Sequence, residues 1–178
     1  MARLSEQLRE ALQAFHVCTR PPALIGGLAL SAHKVVRATR DLDFLAAAAD
    51  AERLHQVLLA LGYVCIYRTE DVANYRRGEE GLDLLFARRP HSERLLSGAQ
   101  VRDTVLGQLH VVSAEGLIGF KLQALANNPA RLQDLEDIRD LLRLGRDSLD
   151  MAQVSEYFAL FGREQLLHEL LDGPAEHE

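Results

Sequence analysis

No apolar run in the sequence approaches the ~20 residues that a bilayer-spanning helix requires, so nothing in it points to a membrane. The N-terminus, Met1 to Glu6, lacks the apolar segment of a secretory signal. Cysteine is scarce. Cys18 and Cys65 are isolated, which excludes a disulfide framework and a zinc-ligand pattern and makes a reducing cytoplasm the expected setting. Lysine is nearly absent, with Lys34 and Lys121 set against eighteen arginines, and the formal net charge is −6. That balance argues against broad non-specific DNA binding, which needs clustered positive charge. The seven histidines show no metal-ligand spacing. There is no Walker-type loop, no Ser/His/Asp or Cys/His arrangement, and no internal repeat.

What is present is an ordinary globular balance, 48% hydrophobic and 26% charged, over a length that suits one domain with a small helical appendage. Leu4, Leu8, Ala11, Leu12 and Phe15 fall at helical spacing behind Ser5, a candidate N-cap. Arg20-Pro21-Pro22 ends that helix. A short strand over 23–25, a Gly26-Gly27 turn, a helix over 28–35 and a strand through Leu42, Phe44 and Leu45 follow. Asp50 is placed to cap a helix with Leu54, Val57, Leu58 and Leu61 inward and Gly62 as its stop. Residues 63–68 read as a strand, 70–80 as a polar hairpin or loop, and 81–87 as a largely apolar strand. After a short strand over 108–112, the pattern is helical: 113–127, 131–144, one around Met151 to Phe161, and one around Leu166 to Leu171. Gly173-Pro174 ends it before an acidic tail. The expected fold class is α/β (α+β). A small mixed sheet flanked by helices occupies 1–112, and a helical portion, 113–178, packs on it.

The chemistry concentrates between Ile25 and Asp43. Asp41 and Asp43 are separated by one apolar residue on a strand, so both carboxylates project from one face. Two such oxygen donors, with phosphate oxygens and water, suit Mg²⁺. Gly26 and Gly27 lie upstream, with thirteen residues between Gly27 and Asp41, and backbone without a Cβ can approach a phosphate there. Arg37, Thr39 and Arg40 add cations and a hydroxyl beside the acids. Asp83 sits between Leu82 and Leu84, and an acid in a buried strand needs a partner or a metal. If its strand adjoins that of Asp41 and Asp43, three acids converge, as in a two-metal displacement with ions ~3.5–4 Å apart, and Asp83 becomes a candidate general base. Its alternative is an outward-facing edge residue. Lys121, on an apolar helical stretch, is either a point charge for a triphosphate or a snorkelling side chain. Asp134 and Asp137 share a helix face, which reads equally as an exposed salt-bridged surface.

These residues resemble a known pattern. Ile25-Gly26-Gly27, the run Arg37-x-Thr39-x-Asp41-Leu42-Asp43 and Asp83 resemble the nucleotidyltransferase superfamily, with its DNA polymerase β-like fold. The Arg-x-Thr-x-Asp-apolar-Asp form, the stretch from Ser113 to Leu122, and Asp134-Leu135-Glu136-Asp137-Ile138 resemble its AbiEii-like branch. That branch includes toxins of toxin–antitoxin and phage-resistance systems and uncharacterised single-domain members. The resemblance covers roughly residues 20 to 145. It implies an Mg²⁺-dependent transfer of a nucleoside monophosphate from an NTP to a hydroxyl of a tRNA, a protein or a small molecule, with two ions and Mn²⁺ as a substitute. It implies that Asp41, Asp43 and Asp83 are catalytic metal ligands, and that Gly26, Gly27, Arg37, Thr39 and Lys121 face the nucleotide. Asp137, with Asp134, matches a late acidic motif of the branch, where Gln133 replaces a lysine often found just before it. An antitoxin partner belongs to the same implication. The rival reading is a non-catalytic nucleotide- or protein-binding module on the same fold.

Overall fold

The computed structural model describes residues 2–104 and 106–172; the Gly173-Pro174 stop and the acidic tail lie outside them. The chain forms two compact units, one of residues 1–32 and 36–113, the other of 33–35 and 114–178.

The first unit is built on a seven-stranded mixed sheet, ordered β3-β4-β5-β2-β1-β7-β6. Its strands are β1 (Ala23–Ile25), β2 (Asp41–Ala47), β3 (Val64–Arg68), β4 (Val72–Arg77), β5 (Glu80–Ala87), β6 (Gln100–Thr104) and β7 (Gly107–Val111). β2 runs parallel to β5 and antiparallel to β1, while β3, β4 and β5 form an antiparallel meander. The helices are α1 (Ala2–Ala14), α2 (Gly26–Ala32), α3 (Ala51–Ala60) and α4 (Pro90–Ser97).

Side chains paired across strands share a sheet face. One face carries the rows Tyr75–Leu82–Leu42 and Ala73–Leu84–Phe44–Leu24. All seven residues are buried. α3 lies against this face, with His55 Nδ1 3.0 Å from the Tyr75 hydroxyl. Phe15, just after α1, meets Phe44 edge-on with ring centroids 4.8 Å apart. Gln7, buried on α1, donates to the Tyr63 hydroxyl at 3.0 Å and to the Gly81 carbonyl at 2.9 Å. The opposite face carries the rows Arg76–Gly81–Asp41 and Asn74–Asp83–Asp43–Ile25. The apolar core and the acidic rows are thus two sides of the same strands.

Several expectations need correction. Helix α1 starts at Ala2, so Ser5 lies inside it rather than capping it. Helix α2 starts at Gly26 and ends at Ala32, so the two glycines form its first residues rather than a separate turn. Asp50 precedes α3 but makes no capping hydrogen bond; it accepts from Thr19 and Arg53 instead. Of the two alternatives for the polar stretch 70–80, hairpin or loop, the hairpin is present: β4 turns at Gly78 (φ +59°) into β5. Helix α4 and strand β6 went unread; α4 is a single short helix entered through Pro90 at its first position.

The second unit is helical: α5 (Ala114–Asn127), α6 (Leu132–Gly145), α7 (Met151–Leu160) and α8 (Glu164–Asp172). Leu117, Leu122, Ile138, Leu141, Val154 and Phe158 form its core. Gly119 admits the Tyr157 ring: a Cβ there would stand 2.9 Å from Tyr157 Cε1. Asp150 caps α7, accepting from the backbone N–H of Ala152 and Gln153 at 3.0 and 3.1 Å.

Candidate active site

Alternation along β2 puts Asp41 and Asp43 on one face, and the parallel register sets Asp43 directly beside Asp83 and Asp41 beside Gly81. The register supplies the strand adjacency on which the expected convergence of the acids depends. Asp83 is not an edge residue, because β5 is hydrogen-bonded on both sides, to β2 and β4. All three acids are half-buried.

Two glycines make room for the carboxylates. Gly26, at the end of β1, has φ +66°, and a Cβ on it would collide with the Asp43 carboxylate. A Cβ on Gly81 would run into both the Asp41 carboxylate and the Arg76 guanidinium. Gly27 faces Thr39, whose Oγ1 would lie 2.9 Å from an added Cβ. Thr39 in turn donates to the Asp41 carbonyl at 3.3 Å, tying the entering segment to the start of β2. Arg37 is half-buried on that segment and Arg40 exposed.

Arg76 and Gly81 also line the site; in the sequence Arg76 is one of several arginines scattered near the acids, and Gly81 only the start of a strand. Arg76 Nη1 lies 3.5 Å from Asp83 Oδ1 and 3.8 Å from Asp41 Oδ1. Gly81 stands two residues before Asp83 as Asp41 stands two before Asp43, a parallel that becomes legible once β2 and β5 are paired. Arg76 lies in the stretch that reads as a polar hairpin or loop.

The donor set is all carboxylate oxygen, the chemistry that Mg²⁺ takes, with glycines clearing the space around it. The acids are not drawn together into a metal cage: among the described residues, no group of three or more His, Cys, Asp or Glu is arranged to hold an ion. A guanidinium stands between two of them.

No family model matches the chain, and no curated protein matches it. Solved structures do. ANT(2'')-Ia in complex with adenylyl-2''-tobramycin is similar with a TM-score of 0.69 at 18% identity, over 92% of this chain and 99% of that one. An antigenic nucleotidyltransferase-like protein from Paracoccidioides brasiliensis gives 0.58 at 16%, over 95% and 92%. The lincosamide antibiotic adenylyltransferase LnuA, bound to lincomycin, gives 0.55 at 15%, over 78% and 96%. The chain has the nucleotidyltransferase fold.

Within that nucleotidyltransferase fold, the remaining expected site residues lie on the helical unit. Lys121 on α5 is buried, and its Nζ donates to Asp134 Oδ1 at 3.0 Å and to Asp137 Oδ2 at 2.5 Å. Arg131 also pairs with Asp134, and Gln133 donates to Asp137 at 3.4 Å. Asp134 and Asp137 are therefore buried acids rather than an exposed salt-bridged face, and Lys121 is ion-paired rather than snorkelling. Burial pushes the Asp134 carboxyl upward, but the Arg131 hydrogen bond and the Lys121 charge outweigh it and hold the group below its ordinary value.

The opposite face of β2 carries no comparable chemistry. Phe44, next to Asp43, faces a cavity of about 240 Å³ shared with Leu12, Phe15, His16 and Cys18. Burial, reinforced by Asp50, pushes the Cys18 thiol up to about 12. It stays protonated at neutral pH and is no nucleophile.

Proposed function

We propose that the protein is a divalent-metal-dependent nucleotidyltransferase, moving a nucleoside monophosphate from an NTP to an acceptor hydroxyl with release of pyrophosphate. The observation that carries this reading is the register of β2 and β5, which sets Asp43 beside Asp83 with Asp41 on the same face, on a fold shared with adenylyltransferases. Asp41, Asp43 and Asp83 would hold Mg²⁺, or Mn²⁺ in its place. The metal supplies charge stabilisation for the transferring phosphoryl group, the main source of catalysis in this chemistry. Asp83 Oδ would accept the acceptor hydroxyl proton. Gly26 and Gly27, at the start of α2, would offer backbone N–H groups to phosphate. Arg37 and Thr39 would orient the nucleotide from the entering segment. Lys121 and Asp137 join them only if the nucleotide reaches their cluster.

One neighbour was solved with adenylyl-2''-tobramycin and another with lincomycin, so a small-molecule hydroxyl is the first acceptor to test, before tRNA or protein. Membership of a toxin–antitoxin pair is a narrower version of the same reading. No helix among the described residues is long and apolar enough to cross a membrane, and a cytoplasmic site of action is part of the proposal.

The test is incubation with each labelled NTP and Mg²⁺, against panels of small-molecule, RNA and protein acceptors. Pyrophosphate release with labelled acceptor is expected, falling about a hundredfold or more in Asp43→Ala. A folded protein that binds no NTP and whose turnover is unchanged by Asp43→Ala would sink the proposal. It would leave the binding module, the reading that the guanidinium between Asp41 and Asp83 favours.

A further inference from the structure

We propose that Arg76 is a resident counter-cation of the acidic site, which a divalent metal must displace from Asp41 and Asp83 in order to load; this rests on the metal-dependent reading above. The strand register places Arg76 opposite Gly81, and Gly81 opposite Asp41. Because Gly81 has no Cβ, the guanidinium and the Asp41 carboxylate both occupy the space above it, and a methyl group there would strike each. The backbone thus leaves a hole that these two charged groups share.

The strength of the pairing decides its role. The contacts of 3.5 and 3.8 Å are longer than the ~2.7–2.9 Å of a tight charge-assisted hydrogen bond. The side chains of Arg76, Asp41 and Asp83 are 41%, 44% and 23% exposed. A short, buried, bidentate pair would exclude a metal. A loose, half-exposed one relieves repulsion among neighbouring carboxylates yet yields to an ion with twice the charge. Arginine suits this role because it stays charged at every physiological pH. The empty site is thereby stable without metal, and loading carries a fixed penalty equal to the lost ion pairs.

The test titrates Mn²⁺, alone and then with an NTP present, by calorimetry, into the full chain as wild type, Arg76→Gln, Arg76→Lys and Asp43→Asn. Arg76→Gln should bind Mn²⁺ roughly three- to tenfold more tightly than wild type, the range that one or two half-exposed ion pairs can withhold. Its melting temperature without metal should be lower, and should rise more when Mn²⁺ is added. Arg76→Lys keeps the charge and should stay close to wild type. Equal affinity in wild type and Arg76→Gln, with binding lost in Asp43→Asn, overturns the role of Arg76 and leaves the metal-dependent reading standing. Arg76→Lys binding as tightly as Arg76→Gln also overturns it, since packing rather than charge would then set the affinity. Absence of Mn²⁺ binding in every folded variant, both alone and with an NTP present, removes the metal reading, and this proposal with it.

Discussion

Asp43 and Asp50 stand seven residues apart in the sequence, and their surroundings give them opposite work. Asp43 is half-buried beside Asp83, with Gly26 cleared to admit its carboxylate. Asp50 is fully buried; its Oδ2 accepts from the Thr19 backbone N–H at 2.9 Å and its hydroxyl at 2.8 Å, and its Oδ1 from Arg53 at 2.8 Å. It locks the segment between α1 and β1 to the start of α3. Asp50→Ala should therefore cost about 1–3 kcal/mol in urea unfolding. Burial pushes the Asp50 carboxyl up, but the Thr19 and Arg53 hydrogen bonds more than offset it and hold the group below its usual value. A depressed folded value contributes stability above the unfolded value, and that contribution is lost as pH falls through the folded one. Asp50→Asn should flatten the loss of stability as pH falls below about 5. An unfolding midpoint that falls with pH as steeply as in wild type would assign the acid sensitivity to other groups.

At the scale of elements, the strands with an apolar rhythm were readable and the one carrying the unexpected site residue was not. β1, β2 and β5 are rich in apolar residues because they are central, with one face packed in the core. β4 does alternate, with Ala73 and Tyr75 buried and Asn74 and Arg76 half-buried. Its polar positions face the acids, where an apolar side chain would serve no purpose, so the stretch reads only as a polar hairpin or loop. The acidic triad was legible because Asp-x-Asp and a lone acid in an apolar strand are local signals. Arg76 and Gly81 were not, because their meaning comes from register, which joins residues across strands. The β4–β5 hairpin also has an anchor that no local pattern shows. Arg77 donates to Glu10 at 2.5 Å, to Glu80 at 2.7 Å and to the Leu61 carbonyl at 2.9 Å, and lies 4.6 Å from the Tyr63 ring centroid. It joins the hairpin to α1 and to the end of α3. Arg77→Ala should destabilise the protein by about 2–3 kcal/mol, measured by urea unfolding. Arg77→Lys should recover less than half of that, since an ammonium cannot serve three acceptors and a ring in one plane. Full recovery by lysine would reduce the anchor to a single point charge.

Over the whole molecule, the acids expected at the site divide into two kinds, one per unit. Those on the sheet are half-exposed and loosely countered by Arg76, a state suited to exchanging partners. Those on the helical unit are buried and neutralised: Lys121, Asp134 and Asp137 are 6%, 5% and 2% exposed, with Arg131 closing the cluster. A buried lysine between two acids has a structural task whether or not it also serves a nucleotide, so single substitutions cannot separate the two. Lys121→Ala leaves two buried carboxylates short of a cation and should cost about 3–5 kcal/mol. The triple variant Lys121→Met, Asp134→Asn, Asp137→Asn removes the charges together and should recover most of that loss, because replacing a whole buried ion cluster by neutral groups of similar size is often near neutral. Its acid sensitivity should also fall: the depressed Asp134 supplies stability above the ordinary aspartate value that disappears as pH drops through its folded value, and the triple variant has no such carboxyl. Nucleotidyl transfer in the stable triple variant then reports on function alone. Retained transfer assigns the cluster to the architecture of the helical unit. Loss of transfer at wild-type stability assigns Lys121 or its acids to the nucleotide.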